Sequence, residues 1–349
     1  MIVLLIFNYH NALIYIYSNN ILNFINNMTY MCYIIYSRIT NYITKYKNKI
    51  IKGNVPMDYI SAKSIISRNK NSSWFANDYN MNIYKGCCHG CIYCDSRSDC
   101  YGIKNFDTVH AKENALSIIQ SELKSKIRKG VIGTGSMSDP YNPFEKKLLL
   151  TRKSFELINT YGFGASVITK STLITRDIDI FQKIKKHSPI LCKITITTAD
   201  DVLCKKIEPN VATSSQRFNA VRALSESGIY TGILLMPILP FINDNKNNIL
   251  NIIHLAKENG AKFIFPSFGV TLRNNQRDYF YDRLDSIFPG LKFKYIKTYG
   301  NTYACGSPKA KELSYIFKNE CEKLGLLYKM DDIIRDYKSD YSIEQLSLF

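Results

Sequence analysis

The stretch NIYKGCCHGCIYC, residues 82–94, carries three cysteines in the spacing C-x3-C-x2-C, at Cys87, Cys91 and Cys94. Thiolates are the usual protein ligands of iron–sulfur clusters, and three of them on one short loop can bind three irons of a [4Fe–4S] cubane. The fourth iron then keeps an open coordination position, unlike in the closed four-cysteine sites of ferredoxins. The pattern therefore predicts a cluster-binding loop at which a small molecule can also bind.

The other residues of this segment support the cluster but leave one alternative open. Gly86 and Gly90 suit a loop that wraps closely around a cluster, because glycine adopts positive φ without a Cβ clash. Closely spaced cysteines also form structural zinc sites, in which Cys88, His89 or Cys100 would supply the fourth ligand. Zinc ligands usually come as two separated pairs, so the triplet favours the iron–sulfur cluster.

Length, cysteine content and net charge indicate the fold size, the cellular location and the class of partner of this protein. The chain has 349 residues, enough for an α/β barrel with an appended region, and its ten cysteines form no paired framework. Unpaired cysteines beside an oxygen-labile cluster motif favour a reducing, cytoplasmic location over a disulfide scaffold. The formal net charge of +17 favours a polyanionic partner such as nucleic acid. The oligomeric state is left open.

Residues 1–56 differ in composition from the rest of the chain. They contain no Asp or Glu, and all five charged residues are basic. No stretch reaches the roughly 18 uninterrupted apolar residues of a membrane span, so we expect no stable membrane insertion. The segment also lacks the basic start of a signal peptide. We therefore interpret residues 1–56 as an extension that is not part of the functional domain, with Met57 as an alternative start.

From Met57 onward, apolar strand-like runs alternate with segments of helical period. The predicted strands are Tyr79–Tyr84, Val131–Gly135, Gly164–Thr169, Leu191–Thr197, Thr231–Met236 and Lys262–Phe265. The predicted helices are Glu113–Lys129, Leu148–Thr160, Ile178–Lys186, Ser214–Ser227, Asn247–Asn259 and Asn275–Ile287, followed by one helix from about Lys309 to Lys323. Six such β/α units predict an α/β protein with a parallel sheet and right-handed crossovers.

Several polar residues come directly after the predicted strands, where α/β barrels carry their chemistry. Ser138 and Asp139 follow the second strand and can accept hydrogen bonds from an ammonium group. Lys170 follows the third strand and can neutralise a carboxylate. Ser-Asp-Pro is also a common turn sequence. The prediction that these residues form a site therefore depends mainly on their position at the same end of the sheet.

Together these motifs resemble a known family. The C-x3-C-x2-C loop is the signature of the radical SAM superfamily. The resemblance narrows to its members related to spore photoproduct lyase through four further motifs: SDPYNPFEKKLLLTR from residue 138, ITKS from residue 168, Glu208-Pro209 followed by Arg217, and MPILP from residue 236. It implies a partial (β/α)6 TIM-type barrel, which we place at residues 57–290. We interpret residues 291–349 as a C-terminal cap.

The resemblance also implies cofactors and an activity. The open iron would be chelated by S-adenosylmethionine (SAM), and the reduced cluster would cleave SAM to methionine and a 5′-deoxyadenosyl radical. Ser138 and Lys170 would contact SAM, and we expect Asp139 and Tyr93, the aromatic residue before the last cysteine, to belong to the same cofactor site. A low-potential donor such as flavodoxin or ferredoxin would reduce the cluster.

One position departs from the family pattern. Spore photoproduct lyase uses the radical to abstract hydrogen from a thymine dimer, and its hydrogen-donating cysteine lies two positions before the Ser-Asp pair. Here that position is Ser136, and a hydroxyl is a poor hydrogen donor to a carbon radical. Cys305 is the candidate substitute. We predict a photolyase-like lyase acting on damaged nucleic acid. The alternatives are a radical SAM enzyme with an RNA or small-molecule substrate, and a non-catalytic zinc-stabilised module that binds nucleic acid.

Overall fold

The computed structural model describes residues 57–71 and 73–341 of the chain. Within these ranges, no helix is long and apolar enough to cross a membrane. The interpretation of residues 1–56 as an extension concerns a segment that lies outside the described residues.

The strands are short, and most of them belong to one sheet. In chain order they are β1 (Asp58–Ile60), β2 (Ile66–Arg68), β3 (Tyr79–Met81), β4 (Tyr84–Lys85), β5 (His110–Lys112), β6 (Val131–Thr134), β7 (Gly164–Thr169), β8 (Ile190–Thr195), β9 (Tyr230–Leu235), β10 (Phe263–Pro266), β11 (Gly269–Thr271) and β12 (Ala304–Gly306).

The helices alternate with the strands of that sheet and then continue into the C-terminal region. In chain order they are α1 (Ala115–Ser125), α2 (Glu145–Leu148), α3 (Leu150–Thr160), α4 (Ile178–Lys185), α5 (Asp201–Ile207), α6 (Ser214–Glu226), α7 (Lys246–Glu258), α8 (Gln276–Ile287), α9 (Leu291–Tyr299), α10 (Ala310–Leu324) and α11 (Met330–Lys338). Short 3-10 turns occupy Asp95–Arg97, Asp99–Tyr101, Thr172–Asp177 and Ser339–Tyr341.

The main sheet has the strand order β10-β9-β8-β7-β6-β3-β2. Its pairs from β3 to β10 are parallel, and β2 adds to β3 in the antiparallel direction. The six predicted parallel strands are therefore confirmed. Among the described residues β10 and β2 are the two edges of this sheet, which gives an open, partial barrel.

Both faces of the sheet are covered, as expected for parallel strands connected by helices. On β8, Cys192 and Ile194 pack with the core that includes Phe181 and Val221 from the covering helices. The alternate residue Leu191 packs on the other face with Phe75 and with Tyr337 of α11. This alternation buries β8 completely and explains why its sequence reads as a nearly continuous apolar run.

The start of the barrel differs from the sequence prediction. The predicted strand Tyr79–Tyr84 is divided into β3 and β4, which belong to different sheets. β4 pairs with β5, and β5 also pairs with β1, so the residues before the cysteine loop form a small second sheet. The loop therefore leaves the short strand Tyr84–Lys85 instead of the first barrel strand.

The helices differ from the sequence prediction at two places. The predicted helix Leu148–Thr160 is split at Leu149, which has positive φ and separates α2 from α3. Helix α5 was not predicted. It begins after Asp200, whose side chain accepts hydrogen bonds from the N–H groups of Val202 and Leu203.

The C-terminal region contains more structure than the single predicted helix, since α9 and α11 accompany α10. β12 forms an antiparallel pair with β11, so this two-stranded sheet joins residues on both sides of the predicted boundary between 290 and 291. Phe75 packs against Phe263 and Phe265 at the last barrel strand, so an aromatic contact attaches the segment before β3 to the sheet.

Candidate active site

The cysteine loop begins at Gly86, where the chain turns with φ +79°. A Cβ at this position would lie 2.2 Å from the carbonyl oxygen of Thr108, so no other residue fits without moving the backbone. The N–H of Cys87 donates to the carbonyl of Phe106 at 2.8 Å. Gly90, with φ +71°, makes the second turn and faces Pro209. Both glycines therefore have the role that the sequence predicted.

The loop is fixed to the end of α5 and to the segment that follows it. The N–H of Ile92 donates to the carbonyl of Ile207 at 3.0 Å, and the N–H of Asn210 donates to the carbonyl of His89 at 3.1 Å. The Asn210 side chain also donates to the carbonyl of Cys88 at 3.0 Å. Backbone groups of the loop are thus satisfied by residues more than 100 positions later, which holds the thiols in place.

The three predicted ligands lie together and largely away from water: Cys87 and Cys91 are buried, and Cys94 is half-buried. Burial, assisted by the charge of the neighbouring thiolates, raises the pKa of Cys91 and of Cys94. Burial acts in the same direction on Cys87, but the charge and hydrogen bond of the His89 ring hold the pKa of this thiol below its usual value. Each thiol is therefore close enough to another to influence its ionisation.

This donor set fits a cluster with three protein ligands. Three thiols lie on one loop and are near enough to influence one another's ionisation. No group of three or more His, Cys, Asp or Glu side chains in residues 57–71 and 73–341 is arranged to hold a single metal ion, so the fit of the three thiols is to a larger group such as a cubane and not to one zinc ion. Of the zinc-ligand candidates, Cys88 is half-buried and Cys100 is exposed, with its sulfur 2.8 Å from the Ser98 hydroxyl.

Lys170 is placed against the same thiols. Its Nζ lies 5.7 Å from the centroid of the Tyr93 ring. Burial opposes its charge, but the thiolates of Cys91 and Cys94, among other anionic groups, hold the pKa of Lys170 above its usual range. A cationic ammonium group is thus available beside the predicted cluster, as the strand-end position of this lysine suggested.

Ser138 and Asp139 occupy the neighbouring strand end but differ in their bonding. Ser138 is 8% exposed, and its buried hydroxyl finds no hydrogen-bond partner among the described residues. A buried, unpartnered hydroxyl fits a group that contacts a ligand, because leaving it unpaired costs about 1–3 kcal/mol. Asp139 is instead bonded within the protein, by Thr169 Oγ1 at 2.6 Å and by the Lys170 N–H at 2.8 Å.

His89 lies between the cysteine loop and Asp139. Its Nδ1 is 3.5 Å from Oδ2 of Asp139, and the Cys87 thiol is near enough to influence its ionisation. Burial lowers its basicity, but these two anionic neighbours outweigh that effect and raise the pKa of His89 to about 9. The sequence suggested His89 only as a fourth zinc ligand. Its position two residues after Cys87 was the signal that it could also lie beside that thiol.

Tyr93 belongs to a buried polar network below the loop. Its hydroxyl donates to the Glu208 carboxylate, which also accepts from the Arg217 guanidinium. Arg217 donates in addition to the carbonyl of Thr195, at the end of β8, at 2.6 Å. The Glu208-Pro209 and Arg217 motif was recognised in the sequence as a family feature, and the structure gives it a place directly behind the cysteine loop.

Ser136, at the position of the family's hydrogen-donating cysteine, and Cys305, its candidate substitute, lie in different environments. Ser136 is exposed on the segment between β6 and α2. Cys305 is 1% exposed on β12, and its thiol donates to the carbonyl of Thr302 at 3.5 Å. Cys305 packs in the same apolar cluster as Cys91 and Tyr93, so the cap is in contact with the cysteine loop through this core.

A cavity of about 210 Å³ opens at this edge of the barrel. Its lining includes His89 from the cysteine loop, Lys170 and Ser171 from the end of β7, and Asn210. Lys146, an exposed residue of α2, adds a second cation to the rim. The cysteine loop, the end of β7 and the segment after α5 thus meet at this cavity.

Comparison with known sequences gives a family for this arrangement. The family model described as the Radical SAM superfamily matches residues 81–266, which is more than half of the chain. An uncharacterised protein of Mycobacterium tuberculosis is 25% identical over 247 residues, covering 69% of this chain and 72% of its own length. An uncharacterised protein of Methanocaldococcus jannaschii is 38% identical over 170 residues, covering 48% of this chain and 62% of its own length.

Solved structures share the fold. Spore photoproduct lyase in complex with dinucleoside spore photoproduct matches with a TM-score of 0.57, covering 77% of this chain and 80% of the lyase at 15% identity. A point mutant of spore photoproduct lyase matches with a TM-score of 0.58, covering 78% of this chain and 82% of the lyase at 14% identity. At this level of identity, the likeness concerns the fold.

Proposed function

The chain belongs to the radical SAM superfamily, and from this premise we propose that it is an enzyme that holds a [4Fe–4S] cluster on Cys87, Cys91 and Cys94 and cleaves SAM reductively. The observation that carries this proposal is the convergence of three thiols on one loop, with the Lys170 ammonium beside Cys91 and Cys94. The cluster, once reduced, supplies the electron that cleaves SAM to methionine and a 5′-deoxyadenosyl radical.

The residues around the thiols have separate tasks in this proposal. Lys170 binds the SAM carboxylate as a counter-ion, and the unpartnered hydroxyl of Ser138 hydrogen-bonds SAM. Tyr93 forms the wall behind the cofactor site, fixed in orientation by its bond to Glu208. Asp139 accepts hydrogen bonds from Thr169 and Lys170 at the end of β7, which places it in the same site. We propose that it also contacts SAM.

We further propose damaged nucleic acid as the substrate and a photolyase-like cleavage as the reaction. Two observations support this choice: the fold shared with spore photoproduct lyase, and the net charge of +17, which suits a phosphate backbone. We place the enzyme in the reducing cytoplasm, since the nine cysteines of the described ranges are all free thiols. A flavodoxin or ferredoxin would supply the electron there.

The test has two levels. Anaerobic reconstitution of the full chain should give a brown protein with about four irons, and reduction in the presence of SAM should yield 5′-deoxyadenosine. Ultraviolet-irradiated DNA should then increase the rate of 5′-deoxyadenosine formation over undamaged DNA of the same sequence. Zinc in place of iron would overturn the enzyme proposal. Equal rates with damaged and undamaged DNA would overturn the substrate only, and RNA or small molecules would become the leading candidates.

A further inference from the structure

Helix α9 carries apolar side chains on its solvent face. Phe293 is 71% exposed and Ile296 is 45% exposed. Residues three positions apart are neighbours on a helix surface, so these two side chains form one small apolar patch. Within residues 57–71 and 73–341 the Phe293 ring makes no contact with another ring or with a cation. One face of this ring is therefore available to a ligand.

The opposite face of α9 is firmly anchored. Tyr295 is completely buried, its hydroxyl donates to the carbonyl of Pro240 at 2.8 Å, and its ring centroid lies 5.2 Å from that of Phe280. The hydroxyl of Tyr299 donates to the carbonyl of Gly306 at 2.6 Å. The exposure of Phe293 thus follows from the orientation of a well-packed helix, since the buried residues lie on its other side.

The helix lies at the edge of the barrel that carries the proposed chemistry. It is inserted between β11 and β12, which follow the last barrel strand, and Pro240 belongs to the segment after the C-terminal end of β9. Tyr295 packs in the same apolar cluster as Cys91 and Tyr93 of the cysteine loop. The inner face of α9 therefore supports this loop, and its outer face is open to solvent.

The charge around Phe293 is positive and largely uncompensated. Residues 291–309 contain four lysines and no Asp or Glu. Lys292 is paired with Asp282 and Asp285 of α8. Lys294 and Lys297 are exposed, and in the described part of the chain no carboxylate lies within 4.0 Å of either ammonium group. Two unpaired cations thus stand next to Phe293 and one helical turn after it.

An exposed aromatic ring beside unpaired lysines is the combination with which proteins bind single-stranded nucleic acid. The ring stacks on a base, and the cations contact phosphates. In a duplex each base is already stacked between its neighbours, so a ring on the protein surface gains little there. A lipid surface would be matched by a wider apolar face than two side chains provide.

We propose that the exposed face of α9 binds a single-stranded stretch of nucleic acid, with a base stacked on Phe293 and phosphates contacted by Lys294 and Lys297. The inference rests on the proposed function, because it gives the nucleic-acid substrate a binding surface. It also restricts that substrate to strands whose bases are unpaired where they meet the enzyme.

The first test removes the stacking ring. Fluorescence anisotropy of the reconstituted full chain with a labelled, mixed-sequence single strand of about 12 nucleotides measures the dissociation constant. Phe293→Ala should raise this constant about fivefold to a hundredfold, the effect of losing one stacked base. Phe293→Leu stays apolar but has no ring and should bind as weakly, whereas Phe293→Tyr should bind like the wild type. Tyr315→Ala, at a residue of α10 that is 69% exposed, is the matched control and should have no effect.

The second test counts the phosphate contacts through the salt dependence of binding. Lys294→Gln and Lys297→Gln together should reduce the slope of log affinity against log salt by about 1.4, at about 0.7 for each contact on a single strand. Lys292→Gln removes the same charge from the same helix, but at a lysine that is already paired, and should leave the slope unchanged. Equal changes for each of the three lysines would mean diffuse attraction and would overturn the inference.

The choice of nucleic acid completes the test. The single strand, as DNA or as RNA, should bind more tightly than the duplex of the same sequence, and the tighter of the two identifies the sugar. Wild-type affinity in Phe293→Ala or Phe293→Leu, or a duplex bound as tightly as the single strand, would overturn the inference. So would binding to anionic lipid vesicles that depends on Phe293 when neither single strand binds.

The proposed function is checked separately. Phe293→Ala should retain the iron content of the wild type and its rate of 5′-deoxyadenosine formation without nucleic acid, because α9 touches neither through its exposed face. A failed binding test with both readouts intact therefore leaves the radical SAM enzyme standing. A wild-type chain that binds no iron would overturn the proposed function itself.

Discussion

Glu208 and Arg217 form an ion pair with no exposed surface on either side chain. The guanidinium opposes the desolvation of the carboxylate and, with Lys170, holds the pKa of Glu208 below its usual value. Because Arg217 also bonds the carbonyl of Thr195 and Glu208 accepts from Tyr93, the pair joins the end of β8 to the cysteine loop. It is the connection through which the barrel supports Tyr93 behind the cysteine loop.

Arg217→Met should destabilise the protein strongly. Removing one partner leaves the Glu208 carboxylate buried and uncompensated, which typically costs about 3–5 kcal/mol. Chemical unfolding of the metal-free protein measures this change in the free energy of unfolding. Arg335→Met is the matched control: Arg335 pairs with Asp332 at the surface, and its loss should cost less than about 1 kcal/mol. An equal decrease in the free energy of unfolding in the two variants would show that the buried Glu208–Arg217 pair contributes no more to stability than the surface pair.

Replacing the cysteines one at a time distinguishes the ligands from their neighbour. Cys87→Ala, Cys91→Ala and Cys94→Ala should each abolish iron binding and SAM cleavage, because each removes one corner of the cluster. Cys88→Ala should retain iron, since Cys88 lies outside the triplet and burial raises the pKa of its thiol to about 12. Iron content and the visible absorption of reconstituted variants check this. Iron retained in Cys87→Ala and lost in Cys88→Ala would reverse the assignment.

Lys170→Met should weaken SAM binding without removing the cluster. A hydrogen bond to a charged partner contributes about 1.5–3 kcal/mol, so the dissociation constant for SAM should rise roughly tenfold to a hundredfold. Equilibrium binding to the reconstituted protein gives this constant, and the iron content should equal that of the wild type. Lys146→Met removes an exposed lysine from the same cavity rim and serves as the control. A similar small effect in both variants would argue against Lys170 as the carboxylate partner.

The parts of the molecule that the sequence predicted are those with local signals. The six parallel strands carry apolar runs bounded by turns, and the cysteine triplet fits within eight residues. The sequence indicated Glu208 and Arg217 only as a family motif and gave no signal for their bond to Tyr93, because Glu208 and Tyr93 are 115 positions apart and charged residues are normally solvated. The β11–β12 pair was missed for the same reason: its strands are three residues each and are separated by two helices.

Local pattern also failed where an element was too short to show a period. Helix α5 has seven residues, and Val202 at its start is 68% exposed, which weakens the amphipathic pattern. The division of the first strand into β3 and β4 depends on β5, whose partner residues come some 25 positions later. Pairing at that distance, and not the propensity of Tyr79–Tyr84, determined the structure there.

The stability of the protein should depend on pH through Lys193. This lysine is completely buried on β8, where it bonds the Ser166 hydroxyl and lies 4.5 Å from the Phe75 ring centroid. Burial lowers the pKa of Lys193 to about 7, from an ordinary value of 10.5. Between these two values the unfolded chain binds more protons than the folded one, so the free energy of unfolding should rise as pH increases from about 7 to 10.5.

Lys193→Met should remove this dependence and stabilise the protein most at or below pH 7. At 1.36 kcal/mol per pKa unit, the penalty has a ceiling of about 5 kcal/mol, and the gain should decline as pH approaches 10. Urea unfolding of the metal-free protein across this pH range measures the difference. The exposed Lys186→Met variant should show no such trend. A gain for Lys193→Met that is constant with pH would mean that packing, and not the buried charge, is responsible.

Ser136→Cys should change how the proposed reaction ends. A thiol S–H is weaker than a hydroxyl O–H and is the better donor to a carbon radical, so the variant should return hydrogen to the product radical more efficiently. The expected result is more repaired product for each 5′-deoxyadenosine formed on ultraviolet-irradiated DNA. Ser136 is exposed on the segment that leads to Ser138, so the substitution should leave iron content and SAM affinity unchanged.

Cys305→Ser is the companion variant, because it removes the other thiol proposed as a donor. If Cys305 supplies the hydrogen in the wild type, this change should lower the ratio of product to 5′-deoxyadenosine, and Ser136→Cys should restore it. If Cys305 serves only to pack β12 against the cysteine loop, Cys305→Ser should lower stability and leave the ratio as it was. A Ser136→Cys variant with the wild-type ratio in both backgrounds would show that the hydrogen donor does not act from this strand end.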